Sequence, residues 1–311
     1  MSNKVTVKVP ATTANLGPGF DCIGAALSLY NKFAFSPLTN DSAAVKIAAT
    51  GKESGRVTTD ESNLAYQAFA KLYAQIGKTV PPVLIEIDLE VPLARGLGSS
   101  ATAIVGGLVG ANELAGAPLG ETELMELAIA IEGHPDNVVP ALLGGCRLAV
   151  AAGTEEEKDG SNWAIADIPW HPDIVPVVAI PDFELSTAEA RKVLPADYSR
   201  AEAIFNTAHL GLLVRALETG RGDWLRVAMR DRIHQPYRQT LIKGYEEVRS
   251  AALTAGAWEM VISGAGPTLL ALTPPSTAAA VAAAMDDAWK LQGVVPSVKV
   301  LEIQSGGVAM G

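Results

Sequence analysis

Cysteine and histidine are scarce in this 311-residue sequence, which has two cysteines, Cys22 and Cys146, and four histidines. Two cysteines are too few for a disulfide scaffold and are typical of a protein in a reducing compartment. We interpret both as small buried hydrophobic residues. The histidines show none of the paired spacings of zinc ligands, which argues against a zinc site.

Basic residues are outnumbered, because 24 lysines and arginines face 34 acidic residues and leave a net charge of −10. Such a chain has no general attraction for nucleic acid or anionic lipid. No apolar run reaches the roughly 18–20 residues that a membrane helix needs, and the alternation at 5–9 indicates a strand rather than a signal peptide. The sequence therefore predicts a soluble cytoplasmic protein without nucleic-acid or membrane partners.

Apolar residues make up 49% of the chain, which is enough for a substantial core. In the first half, periodicity predicts strands at 4–9, 32–36, 45–49 and 83–89 and helices at 99–115 and 121–132. After a polar stretch at 151–165, it predicts strands at 174–180, 257–262, 268–272 and 297–303 and helices at 186–193, 199–218, 221–230, 239–255 and 276–291. This pattern predicts an α+β protein with two domains, 1–160 and 161–311.

A glycine-rich segment, Gly96–Ala101, lies between a predicted strand and a predicted helix. Glycines bring backbone N–H groups close to a ligand, and a helix N-terminus attracts anions. The segment is therefore either a phosphate-binding loop or a tight turn before a capped helix.

Two other phosphate motifs fit less well. Gly96, Gly98 and Ala101 also match a dinucleotide-binding fingerprint, but that motif needs a strand after its helix, and here a second helix follows. Gly77-Lys78 is not a Walker loop, because the position five residues before Gly77 is Leu72 rather than glycine. We interpret Gly77 as a helix end.

Three further segments carry candidate site residues. Pro10–Asp21 is a turn-rich segment in which Asp21 either bonds the local backbone or faces a substrate cation. Glu132 ends a helix, where its charge opposes the helix dipole. It is either an exposed helix-end acid or a ligand of Mg²⁺. Ser263–Thr268 is either a hairpin turn or a second glycine-rich wall beside the loop at 96–101.

Together, Pro10–Asp21, Pro92–Thr102 and Ser263–Thr268 resemble the three signature motifs of the GHMP kinase superfamily, in the same order. Three stretches, Thr13–Asp21, Glu132–Val138 and Ser186–Arg191, resemble the homoserine kinases within it. The likeness covers essentially the whole chain. It implies a two-domain GHMP kinase fold, with an N-terminal domain like ribosomal protein S5 domain 2 and a ferredoxin-like C-terminal domain. It also implies a homodimer that phosphorylates the side-chain hydroxyl of L-homoserine with ATP, as in threonine biosynthesis.

The resemblance also implies the site residues. It assigns binding of Mg²⁺ to Ser100 and Glu132, and binding of the adenosine side of ATP to Asn63. It assigns binding of the ATP phosphates to Pro92, Leu93, Ala94, Arg95, Gly96, Leu97, Gly98, Ser99, Ser100, Ala101 and Thr102. The residues that the resemblance assigns to L-homoserine binding are Asn15, Asp21, His134, Asn137, Thr187, Arg191, Arg238 and Gly264. Of these, Asn15, Asn137 and Arg191 are also assigned to catalysis. The chemistry agrees, since Asp21 suits the ammonium of an amino acid and the two arginines suit its carboxylate.

One departure from the superfamily concerns the mechanism. Mevalonate kinase relatives place an aspartate near position 137, whereas this chain has an amide that cannot accept a proton. Phosphoryl transfer depends mostly on positioning and charge stabilisation. We therefore expect Asn137 to orient the hydroxyl without a strong general base, with Asp136 as the alternative base. There are two competing hypotheses. The protein is a kinase of the same superfamily that acts on another small alcohol, or it is a nucleotide-binding relative without catalytic activity.

Overall fold

The computed structural model describes residues 4–38, 43–153 and 162–311, which form two β-sheets with helices packed on them. The seven strands of the first sheet are β1 (Val5–Ala14), β2 (Ile23–Pro37), β3 (Val45–Thr50), β4 (Val83–Asp88), β5 (Cys146–Ala151), β6 (Trp163–Ile168) and β11 (Ala309–Met310). Their main order is β11-β1-β2-β4-β3, while β5 pairs with the start of β2 and β6 pairs with β5.

Four helices accompany this sheet: α1 (Leu64–Gln75), α2 (Ser99–Leu114), α3 (Glu121–Glu132) and α4 (Pro135–Leu143). Two glycines let α2 lie directly against β2, because a Cβ on Gly106 would lie 2.5 Å from the ring of Phe33 and one on Gly110 would lie 2.2 Å from the ring of Phe35. The small side chains of α2 thus place its N-terminus, and the glycine-rich segment before it, close to the sheet.

The second sheet has the strand order β10-β7-β9-β8 and is antiparallel throughout. Its strands are β7 (Val175–Ile180), β8 (Glu259–Ile262), β9 (Leu269–Thr273) and β10 (Ser297–Val300), and its helices are α9 (Tyr245–Thr254) and α10 (Ala278–Leu291). Between β7 and α9 lie α5 (Thr187–Lys192), α6 (Arg200–Thr219), α7 (Gly222–Ala228) and α8 (Gln235–Arg238). The β-α-β-β-α-β succession is the predicted ferredoxin-like arrangement.

A shared hydrophobic core joins the two halves. It includes Ile23 and Leu27 of the first sheet, Val178 and Leu270 of the second, and Leu213 of α6, all fully buried. Apolar burial of this kind is the main favourable term in packing two layers together. The core therefore holds the two sheets, and the segments between them, in a definite relation.

Several elements differ from the sequence prediction. The strand predicted at 32–36 is the end of the long strand β2, and β1 continues to Ala14 after a bulge at Pro10/Ala11. The helix predicted over 239–255 begins only at Tyr245, because Gly244 adopts a left-handed conformation with φ of 74°. Of helix α1 only the end was predicted, at Gly77, which has a φ of 67° two residues after Gln75. Strands β5, β6 and β11 were not predicted.

Helix α4 was also missed, because prolines usually interrupt helices. Here Pro135 occupies the first helical position, where its missing N–H costs nothing. Pro140 leaves the carbonyl of Asp136 without its helical donor. Gly24 of β2 comes so close to this carbonyl that a Cβ would lie 1.8 Å from its oxygen.

The predicted division at 160/161 falls in 154–161, outside the described residues. The first sheet includes β6 and β11, which follow that position in the chain. The division therefore stays a prediction. Among the described helices, none is long and apolar enough to cross a bilayer.

Candidate active site

A cavity of about 450 Å³ lies between the two halves of the molecule. The first sheet and its helices contribute the segments after β1 and β4, the end of α3 and the start of α4. The second half contributes α5, Arg238 of α8 and the β8–β9 connection. All eight residues predicted for the small substrate line this cavity, and so do Asn63, Glu132 and most of the glycine-rich loop.

The glycine-rich loop is shaped by residues with positive φ. Gly96 has a φ of 76° and Gly98 a φ of 66°, and α2 begins at the next residue, Ser99. A Cβ on Gly98 would lie 1.9 Å from Oγ1 of Thr12. Only glycine tolerates both this φ and this contact, so β1 and the loop lie together at the N-terminus of α2, where free N–H groups favour an anion.

Four residues of the predicted phosphate segment do not line the cavity: Pro92, Leu97, Ala101 and Thr102. Leu97 and Ala101 are buried in the hydrophobic cores. The hydroxyl of Thr102 donates to the carbonyl of Ser99 and accepts from Asn31. Their side chains support the loop instead of facing the cavity.

The connection between β8 and β9 closes on the glycine-rich loop. The hydroxyl of Ser263 donates to the carbonyl of Gly96 at 2.7 Å, and its oxygen lies within hydrogen-bond distance of Oγ1 of Thr13, at 2.9 Å. The N–H of Thr268 donates to the carbonyl of Arg95. Ser263–Thr268 connects two strands and also contacts the loop, so it is more than a hairpin turn and lies as a second wall beside the loop.

Glu132, the last residue of α3, reaches the start of α2. The hydroxyl of Ser100 donates to Oε1 of Glu132 at 2.7 Å. Burial raises the pKa of Glu132, and the hydrogen bond from Ser100 partly opposes that shift. A carboxylate and a hydroxyl beside an anion-binding loop form an oxygen donor set of the kind that Mg²⁺ prefers.

A chain of hydrogen bonds runs from the start of α4 to β1. Nδ1 of His134 lies 2.6 Å from Oδ1 of Asp136, and the same oxygen accepts from the amide of Asn137 at 3.2 Å. Oδ1 of Asn137 accepts from the buried hydroxyl of Thr12 at 2.8 Å. Burial disfavours the charged form of His134, but the hydrogen bond and charge of Asp136 outweigh it and raise the pKa of His134.

Asp21 and Arg191 line the cavity side by side. Their side chains form a two-point ion pair, with Nη1–Oδ2 and Nη2–Oδ1 distances of 2.9 and 3.0 Å. Asp21 has a φ of 56°, a conformation that Asn15 supports by accepting the Asp21 N–H with its Oδ1. The amide of Asn15 in turn donates to the carbonyl of Gly264. The sequence predicted both charged residues but not that they pair with each other.

Arg238 is almost fully buried beside this pair. Its guanidinium donates to the carbonyls of Ala190 (3.2 Å) and Gly264 (3.1 Å). Nη1 lies 3.4 Å from Nδ1 of His234, whose Nε2 faces the carbonyl of Gly17 at 2.8 Å. His234 was not predicted for the site, since a single histidine 42 residues after Lys192, the last residue of α5, carries no local signal. Its part in holding Arg238 follows only from the fold.

Asn63 and Thr187 lie at helix starts. Oδ1 of Asn63 accepts from the N–H groups of Ala65 and Tyr66, and its amide donates to the carbonyl of Thr58. Asn63 therefore caps α1 while lining the cavity, and its polar atoms are engaged. Thr187 is the first residue of α5, after the capping residue Ser186.

Comparison with known proteins places these features in a family. The model of the GHMP kinases N-terminal domain matches residues 63–145, and that of the GHMP kinases C-terminal region matches residues 213–291. The homoserine kinase of Trichodesmium erythraeum is 68% identical over 305 residues, 98% of this chain and 97% of that protein. The homoserine kinase of Thermosynechococcus vestitus is 57% identical over 98% of each chain.

Comparison with solved structures leads to the same family. The crystal structure of homoserine kinase from Cytophaga hutchinsonii has a TM-score of 0.88 at 28% identity, covering 100% of this chain and 98% of that one. The L. major mevalonate kinase in complex with R-mevalonate has a TM-score of 0.68 at 15% identity, covering 99% and 97%, and shows a shared fold only. These comparisons confirm the predicted GHMP kinase fold.

Proposed function

We propose that this protein transfers the γ-phosphoryl group of ATP to the side-chain hydroxyl of L-homoserine, because the chain belongs to the homoserine kinases, a family of GHMP kinases. One observation carries the proposal. A single cavity holds an anion-binding loop on one side and, on the other, the carboxylate of Asp21 with two arginines. This is the arrangement needed to bring a nucleotide phosphate and an amino-acid alcohol together.

The amino-acid end of the substrate is assigned to Asp21, Arg191 and Arg238. The ammonium group pairs with the carboxylate of Asp21, and the substrate carboxylate accepts from the guanidinium groups. Asp21 and Arg191 are paired with each other in the structure. A zwitterion that binds between them replaces each partner by a group of the same charge, so neither is left unpaired.

Ser100 and Glu132 are the residues that would hold Mg²⁺. A carboxylate together with phosphate oxygens is the usual setting for this ion, and Ser100 lies at the first turn of α2 beside the loop. When bound, the ion neutralises charge on the phosphates. Glu132 also has to be deprotonated for this role. Its burial raises its pKa and so opposes deprotonation, whereas a bound cation would favour the deprotonated form.

Asn137 is assigned to orient the acceptor hydroxyl. Its Oδ1 accepts from Thr12, and its Nδ2 donates to Asp136, so the amide plane is held from both sides. Asp136 is engaged by His134 and Asn137 through the same oxygen. Since phosphoryl transfer has a loose transition state, alignment of the hydroxyl with the γ-phosphate is the main contribution of these residues. As the oxygen–phosphorus bond forms and ADP departs, the hydroxyl proton passes to an oxygen of the transferred phosphoryl group and then to water, so no strong protein base is needed.

The dimer is implied by the resemblance, and the cytoplasmic location is predicted from the sequence. We propose a homodimer in the cytoplasm. Light scattering on the purified protein at several concentrations measures the mass directly. A mass of one chain, 32.3 kDa, at all concentrations would contradict the dimer.

An ADP-release assay coupled to NADH oxidation tests the reaction. L-Homoserine should stimulate ADP release, whereas D-homoserine, mevalonate and galactose should not, and the product should be O-phospho-L-homoserine by ³¹P NMR. Stimulation by another alcohol in place of L-homoserine would favour a different GHMP-type kinase. ATP binding without ADP release on any acceptor would favour an inactive nucleotide-binding relative.

A further inference from the structure

Arg95, although it lies inside the glycine-rich loop, does not direct its charge at the phosphate site. Its Nε donates to the carbonyl of Pro181 (3.0 Å), and its Nη groups donate to the carbonyls of Leu93 (2.8 Å) and Asp182 (3.2 Å). The side chain is only 8% exposed. An arginine in this position would ordinarily be assigned to a phosphate, and here its donors are directed at backbone carbonyls of its own loop and of the segment after β7.

Carboxylates complete the surroundings of Arg95. Glu184 lies 3.1 Å from Nη1 and Glu53 lies 3.5 Å from Nη2. Arg56 bridges the same two acids, at 2.7 Å from Glu184 and 3.5 Å from Glu53. Glu53 also accepts from the N–H of Leu93 at 2.7 Å. The cluster therefore balances two positive with two negative charges and holds the backbone of the loop directly.

The cluster joins the loop to the segment that leads into α5. Pro181, Asp182 and Glu184 follow β7, and α5, with Thr187 and Arg191, comes immediately after them. The N–H of Leu185 donates to the carbonyl of Ala94, a residue held at a φ of 52°. A non-glycine residue with this φ is strained, so the loop conformation depends on such restraints.

We propose that Arg95 is a positioning residue that couples the nucleotide loop to the substrate-facing helix α5, and that it is not a ligand of the phosphates. Movement of either segment is transmitted to the other through the guanidinium of Arg95 and the carboxylate of Glu184. Occupation of the loop by nucleotide thereby sets the position of Thr187 and Arg191. This proposal rests on the proposed function for the identity of the two ligands, but the coupling itself is a property of the described contacts.

The first test measures binding of each ligand in the absence of the other by calorimetry. Arg95→Gln should weaken L-homoserine binding without nucleotide by about fivefold or more, the lower end of usual coupling between sites. Glu184→Gln, on the opposite side of the contact, should weaken ADP binding. In the double variant, each ligand should bind no more weakly than in whichever single variant binds that ligand less tightly. The reason is that the effects of substitutions at two residues in direct contact are not additive.

Two further variants separate positioning from loss of charge or of folding. Arg95→Lys keeps the charge, but a lysine cannot form the forked contacts, so it should resemble Arg95→Gln. Arg221→Gln removes an exposed arginine paired with Asp223 and should leave both affinities unchanged. One combination of results would overturn the proposal and favour Arg95 as a phosphate ligand. In that case Arg95→Gln would weaken ADP binding but not L-homoserine binding, and the effects of Arg95→Gln and Glu184→Gln on affinity would be additive.

The second test does not need the acceptor. ADP should slow amide hydrogen exchange in Thr187–Lys192 of the unaltered protein, and this protection should be lost in Arg95→Gln at saturating ADP. Equal protection in both proteins would also overturn the coupling. Failure of the unaltered protein to bind L-homoserine would reject the proposed substrate alone, since the exchange result is obtained with nucleotide only.

Discussion

Arg191 and Asp21, 170 residues apart in the chain, hold each other in a two-point ion pair at the cavity between the two halves. Each is also assigned to one charged end of the substrate. Both side chains are partly exposed, 40% and 33% respectively, so the pair contributes little to stability on its own. Its importance lies in presenting two opposite charges at a fixed spacing.

Replacing Arg191 should therefore affect substrate affinity much more than folding. Arg191→Ala should raise the KM for L-homoserine by about tenfold to a hundredfold, since it removes a carboxylate partner and leaves Asp21 unpaired. The KM for ATP should change little. Steady-state kinetics checks this, with Arg221→Ala as the control because Arg221 forms a similar exposed pair far from the cavity. An unchanged KM for L-homoserine would remove Arg191 from the substrate site.

Asn137 should influence turnover rather than binding. Asn137→Ala should lower kcat by about a hundredfold through misplacement of the hydroxyl, with an unchanged melting temperature within a few degrees. Thr12→Val removes only the hydrogen bond that holds Asn137 and should lower kcat by about tenfold, the value of one hydrogen bond. Full activity of Asn137→Ala would reject the orienting role.

The magnesium requirement should depend on Glu132. Glu132→Gln should raise the Mg²⁺ concentration for half-maximal activity by at least about tenfold, and Ser100→Ala should do so by less. Titration of activity with Mg²⁺ at saturating ATP measures this. Glu121→Gln, an exposed acid at the other end of the same helix, is the control. Equal Mg²⁺ dependence of Glu132→Gln and this control would exclude Glu132 as a ligand.

Gly98 and Gly77 form a matched pair for the glycine-rich loop, because their φ angles are 66° and 67°. A Cβ on Gly77 meets nothing within 4 Å, whereas one on Gly98 would lie 1.9 Å from Thr12 Oγ1. Gly77→Ala should cost about 1 kcal/mol of unfolding free energy from backbone strain. Gly98→Ala should cost about 3 kcal/mol and abolish activity. Similar unfolding free energies for the two variants in urea would contradict the close contact with Thr12.

The His134–Asp136 pair should make stability depend on pH. The pKa of His134 is raised above its usual 6.5, so the pair stabilises the folded protein fully below pH 6.5. This contribution is lost as the pH rises through the raised value. The unfolding free energies of the unaltered protein and of His134→Asn should therefore converge as the pH increases from 6 to 9. Burial lowers the pKa of His234. The contribution of His234 to the unfolding free energy therefore has the opposite sign and changes with pH only below pH 6.5. A constant difference across the range would contradict the pair.

Several features of the site could be predicted because their causes are local. Glycines at 96 and 98 followed by two serines specify a turn into a helix, whatever surrounds them. The helix predicted at 99–115 is present as α2, and its small residues let Phe33 and Phe35 occupy the space beside Gly106 and Gly110. The second helix after the loop, α3, excluded the dinucleotide-binding fold as expected.

Other features have causes distant in the chain. Helix α4 is compatible with Pro140 because Gly24 packs against the carbonyl that this proline leaves free. Strand β2 is longer than its hydrophobic pattern predicted because its first half pairs with β1 and β5 through glycine and alanine. Neither arrangement is visible in a sequence window of one element.

The sequence by itself determined which chemical groups this protein carries: a glycine-rich loop before a helix, a carboxylate at the end of α3, and an aspartate and two arginines that we propose bind an amino acid. Only the tertiary structure decided how these groups are engaged. It paired Asp21 with Arg191, buried Arg238, and turned Arg95 away from the loop that contains it. The physical reason is that residue identity and local backbone preference act within a few residues, whereas a charged side chain takes its partner from whatever the packing of two sheets brings within about 3 Å.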